Sequence, residues 1–189
     1  MLLIAGAVAG LIAGLSTGGS IHNLLGRRLR WPLVVVAAFI VKELETRTPL
    51  GGAALGPAIF ALSMVVLLAW AAWHHDRLPG IWLVAVGIGM NLVAVLANSG
   101  HMPVAPGAAH FGPAQLREHG TFAQYVLAGP DTRLGWLGDW IVLPGPIGRL
   151  LPQAYSPGDL VSTMGLVVVL FLTTRRLPKR TQTRAITTP

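Results

Sequence analysis

Two aspartates carry the most specific chemistry in this chain: Asp139, in Leu137-Gly138-Asp139-Trp140-Ile141, and Asp159, in Pro157-Gly158-Asp159-Leu160. Two carboxylates in a poorly solvated pocket share a proton, so that one serves as base toward water and the other as acid toward a carbonyl oxygen. Such a pair hydrolyses an amide with neither metal nor thiol, and the chain has no cysteine. That absence removes disulfides, thiolate zinc sites, iron–sulfur clusters and cysteine nucleophiles. Asp139 and Asp159 are therefore the candidate catalytic residues. Asp159 also has a plainer role open to it, because Ser156 or Asp159 can cap the first turn of the helix that follows.

Asn98, Arg133 and Glu43 are the candidate substrate-binding residues. Asn98 opens Asn98-Ser99-Gly100-His101-Met102-Pro103, and Arg133 stands in Asp131-Thr132-Arg133-Leu134. Glu43 interrupts an apolar run together with Lys42 and Glu45. Ionisable groups deep in an apolar segment face protein or water and default to a functional reading. The bland alternative is self-neutralisation, since Lys42 with Glu45 and Glu43 with Arg47 have the spacing of helix-surface ion pairs.

Histidines offer less. His74 and His75 are adjacent and point in different directions on a helix. His101, His110 and His119 share one loop at irregular spacing, so no metal site is expected. There is no Walker loop, dinucleotide fingerprint or Gly-x-Ser-x-Gly elbow, and no cofactor is expected either.

What must position these residues is a membrane bundle. Of 189 residues 53% are hydrophobic and 11% charged, too few polar groups to clothe a water-soluble globule. Apolar stretches give spans at about 1–17, 31–48, 54–73, 80–97 and 160–174, the third lying inside the uncharged run Pro49–Trp73. Each is to be compared with the roughly 20 residues needed to cross about 30 Å of hydrocarbon. The first lacks the basic flank and cleavage pattern of a signal peptide, so it reads as a retained span. At about 1.5 Å rise per residue from Trp31, Lys42 lies about 16 Å deep and Glu45 about 21 Å.

If five spans alternate, Arg27, Arg28, Arg30, Arg77, Arg175, Arg176, Lys179, Arg180 and Arg184 fall on one side. Only Arg47, Arg117, Arg133 and Arg149 fall on the other. The positive-inside rule then puts the carboxyl terminus in the cytoplasm and the amino terminus outside. The net charge of +7 is thus explained by topology, and with no basic stripe interleaved with aromatics no nucleic-acid partner is expected. Trp31, Trp70, Trp73 and Trp82 all fall at the cytoplasmic interface, where indole rings prefer to sit.

Gly6, Gly10 and Gly14 make a flat stripe on span one for close helix packing, and Gly87 and Gly89 serve span four similarly. Asn91 in span four can hydrogen-bond across helices or line a cavity, the first being the plainer reading. The stretch 98–158 lies wholly outside and is too long for a simple connection. Its aromatics argue for order. Gly112-Pro113 can start a helix whose apolar face includes Leu116, Phe122, Tyr125 and Val126. Leu134 to Leu143 is apolar but too short to span, and reads as interfacial or re-entrant.

Two resemblances follow. Gly18-Gly19-Ser20-Ile21-His22-Asn23-Leu24, the Asn98 and Arg133 phrases, Leu137-Gly138-Asp139 and Ser156-Pro157-Gly158-Asp159 resemble a family of small bacterial multi-pass membrane proteins of unestablished function. That implies a membrane protein and no activity. The carboxyl-terminal third is more distantly similar to lipoprotein signal peptidase (signal peptidase II), a membrane aspartyl protease. On that resemblance Asp139 and Asp159 correspond to the catalytic pair, Asn98-Ser99-Gly100 to the family's Asn-x-Gly element and Arg133 to its arginine.

The expectation is an all-α, polytopic transmembrane bundle of about five spans, with a partly helical extracytoplasmic loop region. Residues 1–174 form one transmembrane domain and 175–189 a basic cytoplasmic tail. It sits in the bacterial cytoplasmic membrane with an outward-facing polar pocket built from Asn98, Arg133, Asp139 and Asp159. Two functions compete: aspartyl hydrolysis of a membrane-embedded substrate, and a non-catalytic role as complex subunit, lipid- or solute-binding protein or small permease. The expected partners are membrane lipids and either another membrane protein or a second copy of the chain.

Overall fold

The computed structural model describes residues 1–25, 30–47 and 56–175, leaving aside the side chains of Phe39, Lys42, Glu43, Glu45, Thr46 and Arg47. Arg27, Arg28, the stretch 48–55 and the basic tail beyond Arg175, all used in the topology reading, lie outside the described residues. Within them the chain is mostly helical. Five long helices form the body: α1 (Leu2–Ser16), α3 (Pro32–Arg47), α4 (Gly56–Trp73), α5 (Ile81–Ala97) and α8 (Pro157–Thr174), with short α2 (Ile21–Leu25) between the first two. These match the five apolar stretches of the sequence to within a few residues.

α4 and α8 are long and apolar enough to cross a membrane, and α1 and α5 are apolar but shorter. Only 22% of α4 and 33% of α8 is buried, whereas the core helix of a water-soluble protein is mostly covered. α8 packs between α1 and α5, α4 packs on α5, and α3 on α4. The first contact is set by the glycine stripe. Gly6, Gly10 and Gly14 are the buried residues of α1, and a Cβ on Gly10 would lie 2.6 Å from the Val167 carbonyl oxygen of α8. The two helices run parallel, Gly6 lying by Thr163 and Gly14 by Thr174. α5 runs the other way along α8, with Gly80 near Val168 and Gly87 against Ser162 and Gly158.

α4 opposes α5, since Phe60 near its start packs with Ala94, Val95 and Met102. α3 in turn opposes α4. The α4 end holds its start through Trp70, whose Nε1 donates to the Arg30 carbonyl at 2.9 Å, and through His74, whose Nε2 accepts from the Arg30 N–H at 3.1 Å. That acceptance makes Nδ1 the protonated nitrogen, which donates to the Trp70 carbonyl at 2.8 Å. His74 is 1% exposed. The adjacent histidine, His75, instead pairs with exposed Asp76 at 2.8 Å.

Residues 98–156 cap the opposite end, and here the all-α expectation is corrected. β1 (Met102–Val104) runs parallel to β3 (Tyr125–Leu127), and β2 (Thr121–Phe122) pairs antiparallel to β3. A second pair, β4 (Ile141–Val142) with β5 (Ala154–Tyr155), closes a hairpin around α7 (Gly145–Leu150). The helix expected from Gly112 toward Val126 is only α6 (Ala114–His119). Gly120, at φ 73, stops it in the left-handed region, which glycine enters without steric cost. Phe122 and Tyr125 therefore sit on strands, while Leu116, fully buried, packs with Val104, Ala108 and Ala109. Leu134–Leu143 is likewise not helical along its length: it folds as a 3-10 turn at Gly135–Leu137 followed by β4.

Candidate functional site

The site is built where α5 ends. The turn Asn98-Ser99-Gly100 has positive φ at Ser99 (57°) and Gly100 (88°). A Cβ on Gly100 would stand 2.8 Å from Pro57 Cβ at the start of α4, so this turn needs glycine for both its φ and its room. Asn98 then reaches across to the segment before the 3-10 turn. Its Nδ2 donates to the Arg133 carbonyl at 2.7 Å and to the Ala94 carbonyl at 2.8 Å, and its Oδ1 accepts from the Arg133 N–H at 2.9 Å. The Arg133 peptide is fixed and its guanidinium left to project, exposed.

Around this clamp lies an open cleft of about 550 Å³, lined by Ala97, Asn98, Ser99 and His101 on one side. Val126, Leu127 and the run Gly129-Pro130-Asp131-Thr132-Arg133 line the other. Thr132 shapes that run, its Oγ1 accepting from the Gly129 N–H at 2.8 Å. Neither the Asp131 carboxylate nor the Arg133 guanidinium makes a hydrogen bond or ion pair among the described residues. One residue of each charge sign therefore lines the cleft with its capacity for a ligand intact.

Asp159 sits deeper, at the start of α8. Ser156 and Asp159 form a capping box: Ser156 Oγ accepts from the Asp159 N–H at 2.9 Å and Asp159 Oδ2 accepts from the Ser156 N–H at 3.2 Å. The other carboxylate oxygen, Oδ1, accepts from Asn91 Nδ2 of α5 at 2.8 Å, and Asn91 Oδ1 accepts from Ser156 Oγ at 2.8 Å. The ring Asn91–Asp159–Ser156 thus satisfies buried polar groups between α5 and α8, the helix-joining role read for Asn91 from sequence. Burial, with the Asp159 charge as the smaller cause, holds the Tyr155 phenol above its ordinary 10.0.

Asp139 is 7% exposed and docks by its backbone. Its N–H donates to the Pro103 carbonyl at 2.8 Å and its carbonyl accepts from the Ala105 N–H at 3.0 Å, extending β1. Gly138 makes this possible, since any Cβ there would collide with the Pro103 carbonyl oxygen. The next residue, Trp140, donates its N–H to the Tyr155 carbonyl at 3.2 Å. The β4–β5 pairing therefore carries Asp139 and Asp159 to the same end of the bundle.

Of the sequence-predicted residues, Asn98 and Arg133 come together and line the cleft; Asp139 and Asp159 do not line it. Glu43 lies on α3, and its side chain is outside the described residues. His101 lines the cleft, His110 packs tilted against Phe111 with ring centroids 4.0 Å apart, and His119 stands exposed 4.0 Å from Glu118. Among the described residues no three such groups gather as a metal site. The polar side chains of the cleft that the sequence did not point to as site residues are Ser99, His101, Asp131 and Thr132. All stood inside phrases it singled out, but their side chains gave no signal of facing one another.

These features define a class: an apolar helical body with glycine-lined contacts, capped at one end by short strands that frame a polar cleft. A family model matches residues 28–171, and the chain belongs to that family of unknown function, DUF5317. No curated protein and no solved structure matches it.

Proposed function

We propose that this protein is a multi-pass protein of the bacterial cytoplasmic membrane, in which α1, α3, α4, α5 and α8 cross the bilayer as one domain and residues 98–156 form an extracytoplasmic cap that binds a ligand. The observation that carries this is the reversal of the usual pattern of burial. The buried positions of α8 are Gly158, Ser162, Gly165, Val169, Thr173 and Thr174, and those of α1 are all glycine. Outward-facing are Ile4, Val8, Ile12, Leu33, Val36, Ile40, Leu62, Val65, Val93, Leu96, Met164 and Leu172. On α1 and α8, small and polar inside with large and apolar outside is the arrangement that lipid favours and water disfavours.

Exposed tryptophans bound this surface at two levels: Trp31, Trp73 and Trp82 at one end, Trp136 and Trp140 at the other. Two such levels are what interfacial anchoring asks for. The 18 residues of α4 give about 27 Å at about 1.5 Å per residue, close to the thickness of the hydrocarbon layer. In the sequence, the connections 18–30 and 74–79 and the stretch after Thr174 hold most of the Lys and Arg, and with alternating spans that pattern favours a cytoplasmic carboxyl terminus.

Binding fits the site better than catalysis, because both oxygens of Asp159 are engaged in the cap and with Asn91. Aspartyl hydrolysis by Asp139 and Asp159, with Glu43 aiding substrate capture, is the second reading. It is favoured by the burial of Asp139 and by the hairpin that carries both acids to one end.

Because the chain has no native cysteine, single-cysteine variants test the topology cleanly. In intact cells Asp131→Cys should react with a membrane-impermeant maleimide, and Arg77→Cys should react only after permeabilisation. The reverse pattern, or release from membranes by alkaline carbonate without detergent, would overturn the reading. Asp139→Asn separates binding from hydrolysis: ligand binding and protein level kept as in wild type support binding, and loss of peptide cleavage in membranes holding a normal amount of the protein supports hydrolysis.

A further inference from the structure

We infer that the cleft at the end of α5 is a headgroup site for a phosphate–ammonium zwitterion, and that its occupant is phosphatidylethanolamine from the surrounding leaflet. The inference rests on the membrane reading above. Its first support is charge. Arg133 and Asp131 both line the cleft, two positions apart, and neither the guanidinium nor the carboxylate is engaged with another described residue. A guanidinium presents a fork of donors that matches phosphate oxygens, and a carboxylate accepts from the N–H groups of a primary ammonium. A ligand with one anionic and one cationic group satisfies both; a simple anion leaves Asp131 opposed to it.

The second support is the way out of the cleft. Ala97 lines it, and one turn back along α5 the same face carries Val93, 50% exposed, with Leu96, 60% exposed, beside it. Residues three and four apart share a helix face, so the stripe continues through Gly89 to Val86, 48% exposed. Around Gly89 there is open space, with nothing within 4 Å of where a Cβ would stand. An exposed apolar stripe with a gap at Gly89 thus runs down α5 from the charged mouth, a surface along which an acyl chain can lie. Exposed Trp136 stands three residues from Arg133, at the level where headgroups lie.

The test uses the full-length protein in detergent with added dioleoyl phosphatidylethanolamine, read by native mass spectrometry and by thermal midpoint. Lipid adducts and a raised midpoint are expected. Dioleoyl phosphatidylglycerol, which lacks the ammonium, and dioleoyl phosphatidylcholine, whose ammonium has no N–H, should each bind about tenfold more weakly, as expected for loss of a charge-assisted contact. Arg133→Gln and Asp131→Asn should weaken phosphatidylethanolamine binding similarly. Arg133→Gln leaves the fold readable, because Asn98 holds that residue through its peptide. Equal binding by wild type and the double variant, or equal binding of all three lipids, would overturn the inference. Competition by soluble phosphoethanolamine at the affinity of the lipid would assign the site to a free solute instead and overturn the lipid occupant. A protein that remains detergent-dependent but shows no headgroup preference fails this inference alone; one released by carbonate fails the membrane reading itself.

Discussion

Asn98 grips the backbone of Arg133 at both of its polar groups, accepting from its N–H at 2.9 Å and donating to its carbonyl at 2.7 Å across 35 residues of sequence. The same Nδ2 also reaches the Ala94 carbonyl near the end of α5. One side-chain amide thus does the work of a strand pair, and it sets the position of the cleft wall relative to the helix.

Asn98→Ala removes these bonds and leaves the Arg133 peptide without its partner, a loss of about 1–3 kcal/mol. Asn98→Asp keeps the acceptor but turns the donor edge into a second oxygen facing the Arg133 carbonyl, so it should be at least as damaging. Thermal midpoints of the purified variants in detergent check this. A neutral Asn98→Ala would remove the clamp from the account.

Two glycine-to-alanine changes should differ in sign. Gly10→Ala puts a methyl group 2.6 Å from the Val167 carbonyl oxygen and should cost about 1–3 kcal/mol through overpacking. Gly89→Ala meets open space and gains helix propensity, so it should be neutral or stabilising by about 0.5–1 kcal/mol. The same detergent melts separate them, and equal effects would mean that α1 and α8 are not in close contact.

Asp159→Ala removes the capping box and the bond from Asn91 together and should lower stability by about 1–3 kcal/mol. Asp159→Asn retains one acceptor and should lose less. If the two variants melt alike, charge on Asp159 rather than its hydrogen bonds is what the helix needs.

Tyr155 predicts a loss of stability in alkali. Its folded proton affinity is raised by burial and then by Asp159, so the stabilisation is complete below the unfolded value of 10.0 and is lost as pH climbs through the higher folded value. Above pH 10.0 the unfolded chain holds fewer protons than the folded one, and stability falls with pH. Tyr155→Phe should flatten that fall. Absorbance at the phenolate band, with melts at rising pH for wild type and variant, gives the measurement.

The helical body was legible because apolar runs of span length admit little else: α4 and α5 begin and end within about two residues of their sequence limits, the usual uncertainty of helix boundaries. The glycine stripe on α1 was legible for the same reason, its four-residue spacing being a property of one helix. The cap was not. Phe122 and Tyr125 keep a helical spacing from Leu116, and only the left-handed turn at Gly120 breaks the register. β1 pairs with β3 across the whole of α6, a non-local choice that no local pattern encodes. Asn98 and Arg133 were both nominated, yet their partnership depends on that cap topology. Asp139 and Asp159 were nominated as a pair by spacing, while the structure spends both oxygens of Asp159 on Ser156 and Asn91.

The helix that joins the body together, α8, leaves the ribosome after the other seven described helices. Until residues 157–174 emerge, the grooved side of α1 has nothing to seat against and the Asn91 amide has no carboxylate to meet. Assembly therefore waits on late translation, and a message cut short before that point yields early segments whose adhesive faces stay open to quality-control proteases.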